Sequence, residues 1–131
     1  MRPFLPLLLA LLLLPSPALR SEDAPEPGYV FWAKFVRIVD GDTVAMDLDL
    51  GFGVWVHNQS LVLLDAGGAD RDAEARSKDN ARIAKLRELV EDGTDFVVRT
   101  TRDRDAQPPR YFAEIWIDGE SLNEAMRQAF P

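Results

Sequence analysis

The sequence contains no cysteine and only one histidine, His57. Without cysteine the chain forms no disulfide bond and carries no lipid anchor on a thiol. Its stability must therefore come from core packing, alone or together with a bound ion. A lone imidazole has no second histidine with which to share a metal, so we expect His57 to be an exposed strand residue.

Basic side chains are also scarce. The 15 lysines and arginines stand against 22 aspartates and glutamates, which gives a formal net charge of −7. Such a surface repels polyanions on average, which argues against non-specific nucleic-acid binding through a broad basic face. Any phosphate chemistry must depend on a local site. The 131 residues, 47% of them hydrophobic, suffice for one compact domain but hardly for two.

The apolar run at the start of the chain, residues 4–14, is too short to span a bilayer. It follows Arg2 and is followed by small residues and prolines at 15–18, a pattern typical of a secretory signal peptide. We expect a signal peptide at 1–18, a flexible acidic leader at 19–28 and one domain at 29–131. The protein would be secreted or periplasmic, with no stable membrane insertion after cleavage; an uncleaved membrane anchor is the alternative.

Side chains alternate with strand periodicity from residue 29 onward. The pair Asp40-Gly41 is a strong turn signal and predicts a hairpin between the first two strands. A third strand is predicted at 54–64, after a glycine-containing bend typical of the curl that closes a small barrel. Two further strands are predicted at 96–100 and 111–117.

The period becomes helical between residues 72 and 91, where one stripe carries Ile83, Leu86, Leu89 and Val90. We interpret the alternating charges of 71–85 as a solvated helix face. A final helix is predicted at 121–130, capped by Ser121 with Glu124 three residues later.

The order β-β-β-α-β-β-α predicts a mainly β chain with helices, of the α+β class. It fits a five-stranded, partly open barrel of the OB-fold type, whose faces and loops often bind oligonucleotides or sugars. This fold does not by itself assign a function.

Two segments resemble a known family. Residues 36–59 read VRIVDGDTVAMDLDLGFGVWVHNQ and residues 109–126 read PRYFAEIWIDGESLNEAM. Together they are similar to the staphylococcal nuclease (thermonuclease) family, over about residues 31–126. The resemblance implies an OB-fold and a calcium-dependent phosphodiesterase that cleaves DNA and RNA.

Such an enzyme needs two or three carboxylates around a hard cation, a carboxylate beside the attacking water, and arginines that neutralise the phosphate oxygens. By resemblance, Asp42 matches the first metal-binding aspartate, and Asp40 and Thr43 match its neighbours in the turn. Arg110 matches the second of the family's two phosphate-binding arginines and is thus a catalytic candidate; it can also be read as a surface residue that pairs with nearby aspartates. Asp40 and Asp42 are also common turn formers whatever the function.

The third strand departs from the family. There the pattern RxRLxGIDAPE supplies the first arginine, the second metal aspartate and the general-base glutamate, whereas residues 60–70 here read SLVLLDAGGAD. Without a gap, Val62 replaces the arginine and Gly67 replaces the aspartate. Asp70 then takes the glutamate position and is the candidate catalytic carboxylate.

A two-residue deletion gives a second register. It places Asp65 at the metal aspartate, Ser60 at the arginine and Gly68 at the glutamate. The arginine is missing in both registers, and neither supplies all three groups. Loss of one such charge stabiliser costs about 100- to 1,000-fold in rate. Asp65 and Asp70 can also be read as parts of a solvated loop.

Two functions follow as expectations. The first is an exported nuclease-like domain, in effect a pseudoenzyme, with weak or lost phosphodiesterase activity and a residual phosphate- or nucleic-acid-binding cleft between Asp42 and Arg110. The second is an active calcium-dependent nuclease in which Asp42, Asp65 or Asp70, and Arg110 form a rearranged site. Calcium binding would be weak in the first case. We expect a monomer.

Overall fold

The computed structural model describes residues 28–131. The predicted signal peptide at 1–18 and the predicted leader, except Gly28, lie outside the described residues. The strands and helices follow in the order β1 (Val30–Asp40), β2 (Thr43–Asp49), β3 (Trp55–Leu63), α1 (Ala73–Ser77), α2 (Asn80–Glu91), β4 (Phe96–Asp103), β5 (Arg110–Ile117), β6 (Glu120–Ser121) and α3 (Leu122–Ala129).

The strands form one sheet in the order β3-β2-β1-β4-β5-β6. Neighbours in this order run antiparallel. A short parallel pairing of β3 with β5, through Val62 with Phe112 and Leu63 with Ala113, closes the first five strands into a barrel. The predicted α+β class and five-stranded OB-fold-like barrel are therefore confirmed, and the two-residue β6 is an additional strand.

The core fills the barrel and the space beneath the helices. The alternation of side chains along each strand sends one set inward, as the sequence predicts. The buried apolar cluster comprises Ala33, Val44, Met46, Leu48, Leu61, Leu63, Ala66, Leu86, Phe96, Val98, Ala113, Ile115, Leu122 and Met126.

The predicted single helix at 72–91 is wrong, because the segment contains two helices. Asp72 caps α1 by accepting a hydrogen bond from the backbone N–H of Ala75, and Asp79 caps α2 by accepting one from the N–H of Ala81. An aspartate carboxylate that bonds nearby backbone N–H groups favours a helix start over a helix interior. The whole apolar stripe lies in α2.

The other elements lie close to their predicted positions. The hairpin of β1 and β2 turns at Gly41 and Asp42, and β4 extends three residues past the predicted end, to Asp103. Ser121 caps α3 as predicted, since its Oγ accepts a hydrogen bond from the N–H of Glu124 at 3.1 Å. Within residues 28–131, no helix combines the length and the hydrophobicity needed to cross a bilayer.

Candidate functional site

The β1–β2 turn is fixed by contacts on both of its sides. The N–H of Gly41 donates to the carbonyl oxygen of Ser77 at 2.8 Å, and the carbonyl oxygen of Asp42 accepts from the N–H of Leu63 at 2.8 Å. Within the turn, the N–H of Asp42 donates to the Oδ1 of Asp40 at 3.1 Å. The backbone at Asp42 is therefore held between the end of α1 and the end of β3.

Gly41 allows this close approach. A Cβ atom at this position would lie 2.3 Å from the carbonyl oxygen of Arg76 and 3.2 Å from the Cβ of Arg82. Real Cβ atoms essentially never come within 3.0 Å of another heavy atom in this way. The glycine of the DGDT turn is thus required by the helical segment that packs against it.

The loop after β3 packs against the end of α3. Gly67 and Gly68 have positive φ angles of 91° and 73°, a region that glycine enters at little cost. The N–H of Gly68 donates to the carbonyl oxygen of Phe130 at 2.6 Å, and the Nε of Arg127 donates to the carbonyl oxygen of Asp65 at 2.9 Å. The C-terminal helix therefore holds this loop beside the β1–β2 turn.

Arg82 on α2 joins the turn and the loop. Its side chain is only 1% exposed, its Nε donates to the carbonyl oxygen of Gly41 at 3.0 Å, and its Nη2 donates to that of Ala66 at 3.3 Å. The guanidinium carbon also lies 5.1 Å from the centre of the Phe130 ring. The interpretation of 71–85 as a solvated face is therefore wrong at Arg82.

A cleft of about 600 Å³ lies between these segments. Apolar side chains from the ends of β3 and β5, including Val62 and Phe112, form part of its wall. Its charged side chains are two carboxylates and three guanidinium groups, from Asp42, Asp65, Arg76, Arg82 and Arg127. Positively charged side chains thus outnumber negatively charged ones in the cleft, although the protein as a whole is acidic.

The carboxyl group of Asp42 is electrostatically unusual. Burial raises its pKa above the ordinary value, and the adjacent carboxyl of Asp40 raises it further. The hydroxyl of Thr43, which donates to the Oδ1 of Asp42 at 3.3 Å, and the charge of Arg82 act in the opposite direction. The turn therefore destabilises the ionised carboxylate unless a positive charge comes close.

Burial lowers the pKa of Arg82, and the charges of Asp42 and Asp79 partly oppose this effect. Because an arginine side chain ordinarily titrates far above neutral pH, Arg82 keeps its positive charge in the cleft. The cleft therefore contains a buried cation, and its attraction to Asp42 only partly offsets the free energy lost when the guanidinium group is removed from water.

The predicted site residues are not all brought together. Asp42 and Asp65 both line the cleft, whereas Asp70 is exposed and is absent from its lining. Arg110 also does not line the cleft. Its guanidinium pairs with Asp103 at 2.7 Å and lies 5.5 Å from the ring centre of Phe112, which does line the cleft.

The carboxylates of this site are few for a calcium ion. Within the part of the chain that the structure describes, no group of three or more Asp, Glu, His or Cys side chains is arranged to hold a metal. Asp42 and Asp65 would be the ligands, with three arginines in the same cleft opposing a cation. Calcium binding through these two residues stays a prediction.

Sequence reasoning missed the three arginines of the cleft. For Arg82 a signal was present, because it precedes Leu86 by four residues and Val90 by eight, which places it on the buried stripe of α2. For Arg76 and Arg127 the sequence offers no comparable signal, since their place in the cleft depends on how α1 and α3 meet the barrel.

Compared with known proteins, the chain matches no protein-family model and no curated protein. The resemblance to the staphylococcal nuclease family therefore depends on the two motifs at 36–59 and 109–126. The OB-fold-like barrel and the geometry of the cleft are independent of that resemblance.

Proposed function

We propose that this chain is a staphylococcal-nuclease-like domain that binds a phosphate-containing ligand, a segment of single-stranded nucleic acid, in the cleft beside Asp42. It cleaves this ligand weakly or not at all. The DGDT turn and the OB-fold-like barrel support the relationship, and the charge of the cleft supports the type of ligand.

The excess of guanidinium groups in the cleft is the observation that carries the proposal. Arg76, Arg82 and Arg127 line it together with only two carboxylate side chains. A cleft with low-dielectric walls concentrates the field of its charges, so a local excess of positive charge attracts an anion even to an acidic protein. Guanidinium groups also match phosphate oxygens in geometry.

Weak catalysis follows from the same residues. A calcium ion would neutralise charge on the phosphate and position a water molecule, and Asp42 and Asp65 would hold it. Two carboxylates compete poorly with water for calcium, and the adjacent arginines lower its affinity further. On the third strand, the apolar Val62 forms part of the wall of the cleft. In the register without a gap, Val62 stands where the family has its first arginine.

The alternative is an active calcium-dependent nuclease with a rearranged carboxylate set. One observation favours it: Asp42 and Asp65 come from different loops and line one cleft. Calcium near Asp42 would also relieve the repulsion from Asp40 that raises its pKa.

The two functions are separated by one pair of measurements. Binding is followed by the fluorescence anisotropy of a labelled single-stranded oligonucleotide, and cleavage is followed on a gel, with calcium or with a chelator. We expect binding that weakens as salt rises, because phosphate contacts release counterions, and an intact oligonucleotide in both conditions.

Asp42→Asn makes the distinction sharper. In an anion-binding cleft this variant removes a repulsive charge, so the oligonucleotide binds as tightly as before or more tightly. In a calcium-dependent nuclease the same variant abolishes cleavage. Glu91→Gln, at an exposed position outside the cleft, is the matched control. Calcium-dependent cleavage that disappears in Asp42→Asn and in Arg110→Ala would establish the alternative, and no binding at all would refute the proposal.

A further inference from the structure

One nitrogen of the Arg82 guanidinium is left without a partner. Nε and Nη2 donate to the carbonyl oxygens of Gly41 and Ala66, but Nη1 is buried and has no hydrogen-bond acceptor within residues 28–131. No carboxylate in this part of the chain forms a salt bridge with Arg82 within 4.0 Å. Arg82 is therefore a buried cation in which one nitrogen, Nη1, forms no hydrogen bond.

Burial of a charge without a partner destabilises the folded state, because water no longer solvates the charge and no group of the protein replaces that water. Exceptions of this kind concentrate at functional sites, where a ligand supplies the missing partner. Since Arg82 lines the cleft, an anion in the cleft is the partner that its position favours.

Arg76, which lies near Arg82, also bonds carbonyl oxygens and not carboxylates. Its Nη1 donates to the carbonyl oxygens of Gly68, at 3.2 Å, and of Arg71, and it also forms no salt bridge within the described chain. By contrast, Arg127 pairs with Glu124. Among the arginines of the cleft, Arg76 and Arg82 are therefore the two that form no salt bridge within the described residues.

Gly68 packs against the side chains of both arginines. A Cβ atom on Gly68 would lie 2.8 Å from the Cδ of Arg76 and 3.4 Å from the Nη1 of Arg82. Both side chains therefore approach the same face of Gly68, which brings the Cδ of Arg76 close to the Nη1 of Arg82. Because neutral carbonyl oxygens hold Arg76, exchange of one of these bonds for a bond to a charged phosphate oxygen is favourable.

We propose that Arg82 and Arg76 form the phosphate-binding pair of this cleft and that they take a dianionic phosphate group. This inference rests on the proposed function of the same cleft. It assigns the role of the arginine missing from the third strand to a residue of α2. A terminal phosphate carries a charge of about −1.5 to −2 at neutral pH, which matches two guanidinium groups without salt bridges better than the single charge of an internal phosphodiester does.

Shape supports the same choice. The Nη1 of Arg82 is buried, so an anion contacts it only after the side chains that cover it move, and a compact group requires the smallest movement. A terminal phosphate presents three oxygens on one ester link, whereas an internal phosphodiester is flanked by a sugar on each side. The source is a phosphorylated nucleic-acid end or free phosphate, and the experiment separates the two.

The experiment measures binding of three single-stranded oligonucleotides of one sequence, with a 5′-phosphate, a 3′-phosphate or hydroxyl groups at both ends. Each is titrated into the protein at low salt in the presence of a chelator, and inorganic phosphate is added as a competitor. We expect at least one phosphorylated oligonucleotide to bind about tenfold more tightly than the hydroxyl form, and inorganic phosphate to displace it. Displacement by inorganic phosphate without any preference for a phosphorylated end would support the dianionic site and identify free phosphate as its source.

The variants test whether this preference depends on Arg82 and on the charge of the cleft. Arg82→Lys keeps the charge but loses the forked geometry, and we expect it to remove the preference for the phosphorylated end. Arg87→Gln, an exposed arginine of the same helix, should keep it. If Arg82→Lys does not fold, Ala69→Glu decides, because it adds a repulsive carboxylate at an exposed position in the cleft lining and should likewise remove the preference.

The outcomes also separate this inference from the proposed function. Equal binding of all three oligonucleotides, with no competition from inorganic phosphate, would overturn the dianionic site while leaving nucleic-acid binding in place. A preference that survives in Ala69→Glu would also overturn it. No binding of any oligonucleotide and no effect of phosphate would overturn both.

Discussion

The Nε of Arg82 donates to the carbonyl oxygen of Gly41 at 3.0 Å, across 41 positions of sequence. This bond connects α2 to the turn that carries Asp42. Together with the bond from Nη2 to Ala66, it makes one buried side chain the link between the two loops that border the cleft. The stability of the domain and the geometry of its site therefore depend on the same residue.

Arg82→Ala should destabilise the domain by about 3 kcal/mol, because it leaves the buried carbonyl oxygens of Gly41 and Ala66 without donors and opens a cavity. The free energy of unfolding, measured by urea denaturation, checks this value. Arg87→Ala, at an exposed position of the same helix, should change it by less than about 0.5 kcal/mol. Equal effects of the two variants would show that Arg82 has no linking role.

Gly41→Ala should also destabilise the fold, by about 2 kcal/mol or more, because the added methyl group would overlap the carbonyl oxygen of Arg76. Thermal unfolding of the variant tests this expectation. Gly28→Ala is the matched control, since a Cβ at that position meets nothing within 4 Å. A Gly41 variant as stable as the wild type would mean that the backbone between α1 and α2 moves away from the added methyl group without loss of stability.

Asn123 should be among the most sensitive polar positions. It is 3% exposed; its Oδ1 accepts from the N–H of Ile115 at 2.9 Å, and its Nδ2 donates to the carbonyl oxygens of Leu64 and Ala113 at 2.7 and 2.9 Å. The carbonyl oxygen of Ala113 keeps a second bond, from the N–H of Leu64 at 2.9 Å, so Asn123→Leu removes the partner of two backbone groups, the N–H of Ile115 and the carbonyl oxygen of Leu64. We expect a loss of about 3 kcal/mol.

Urea denaturation measures this loss, and Gln128→Leu, at an exposed position of α3, is its control. A small effect of Asn123→Leu would mean that water or a rearranged backbone replaces the three bonds.

Stability should fall in acid partly through Asp79. Its pKa is lowered below the ordinary value of 3.8, first by the hydrogen bond from Arg71 and then by the backbone N–H of Ala81. A carboxyl group with a lowered pKa in the folded state stabilises that state above the unfolded pKa, and this contribution is lost as the pH falls through the folded pKa.

The unfolding free energy of wild type and of Asp79→Asn, measured from pH 7 to pH 2.5, should therefore converge as the pH decreases. Asp92→Asn, at an exposed position directly after the same helix, is the matched control. A constant difference between wild type and Asp79→Asn across this range would contradict the expectation.

The barrel could be predicted because its signals are local. The alternation of residues 31–36 and of 44–50, the turn at Asp40-Gly41 and the capping of α3 by Ser121 each depend on a few neighbouring residues. The break between α1 and α2 was missed, because Asp79 stands within a stretch rich in charged residues where a cap resembles one more polar position of a helix face.

The cleft could be predicted only in part. The resemblance drew attention to Asp42 and Asp65, and both line it. Arg110 was expected either in the cleft or in a pair with nearby aspartates, and it pairs with Asp103, a residue of β4 whose position opposite Arg110 depends on the register of two strands. Arg82 was read as solvated because charged side chains are rarely buried, and only the tertiary structure shows the carbonyl groups that it bonds.

An NMR titration tests the central claim most directly. Amide and Arg Nε–Hε signals of the labelled protein are followed as a single-stranded oligonucleotide is added with calcium, and the oligonucleotide is then analysed on a gel. Binding in the cleft predicts the largest shifts at Asp42, Gly67, Gly68 and the Nε–Hε of Arg82, with an intact oligonucleotide. Shifts confined to the opposite side of the barrel, or efficient cleavage of the oligonucleotide, would contradict it.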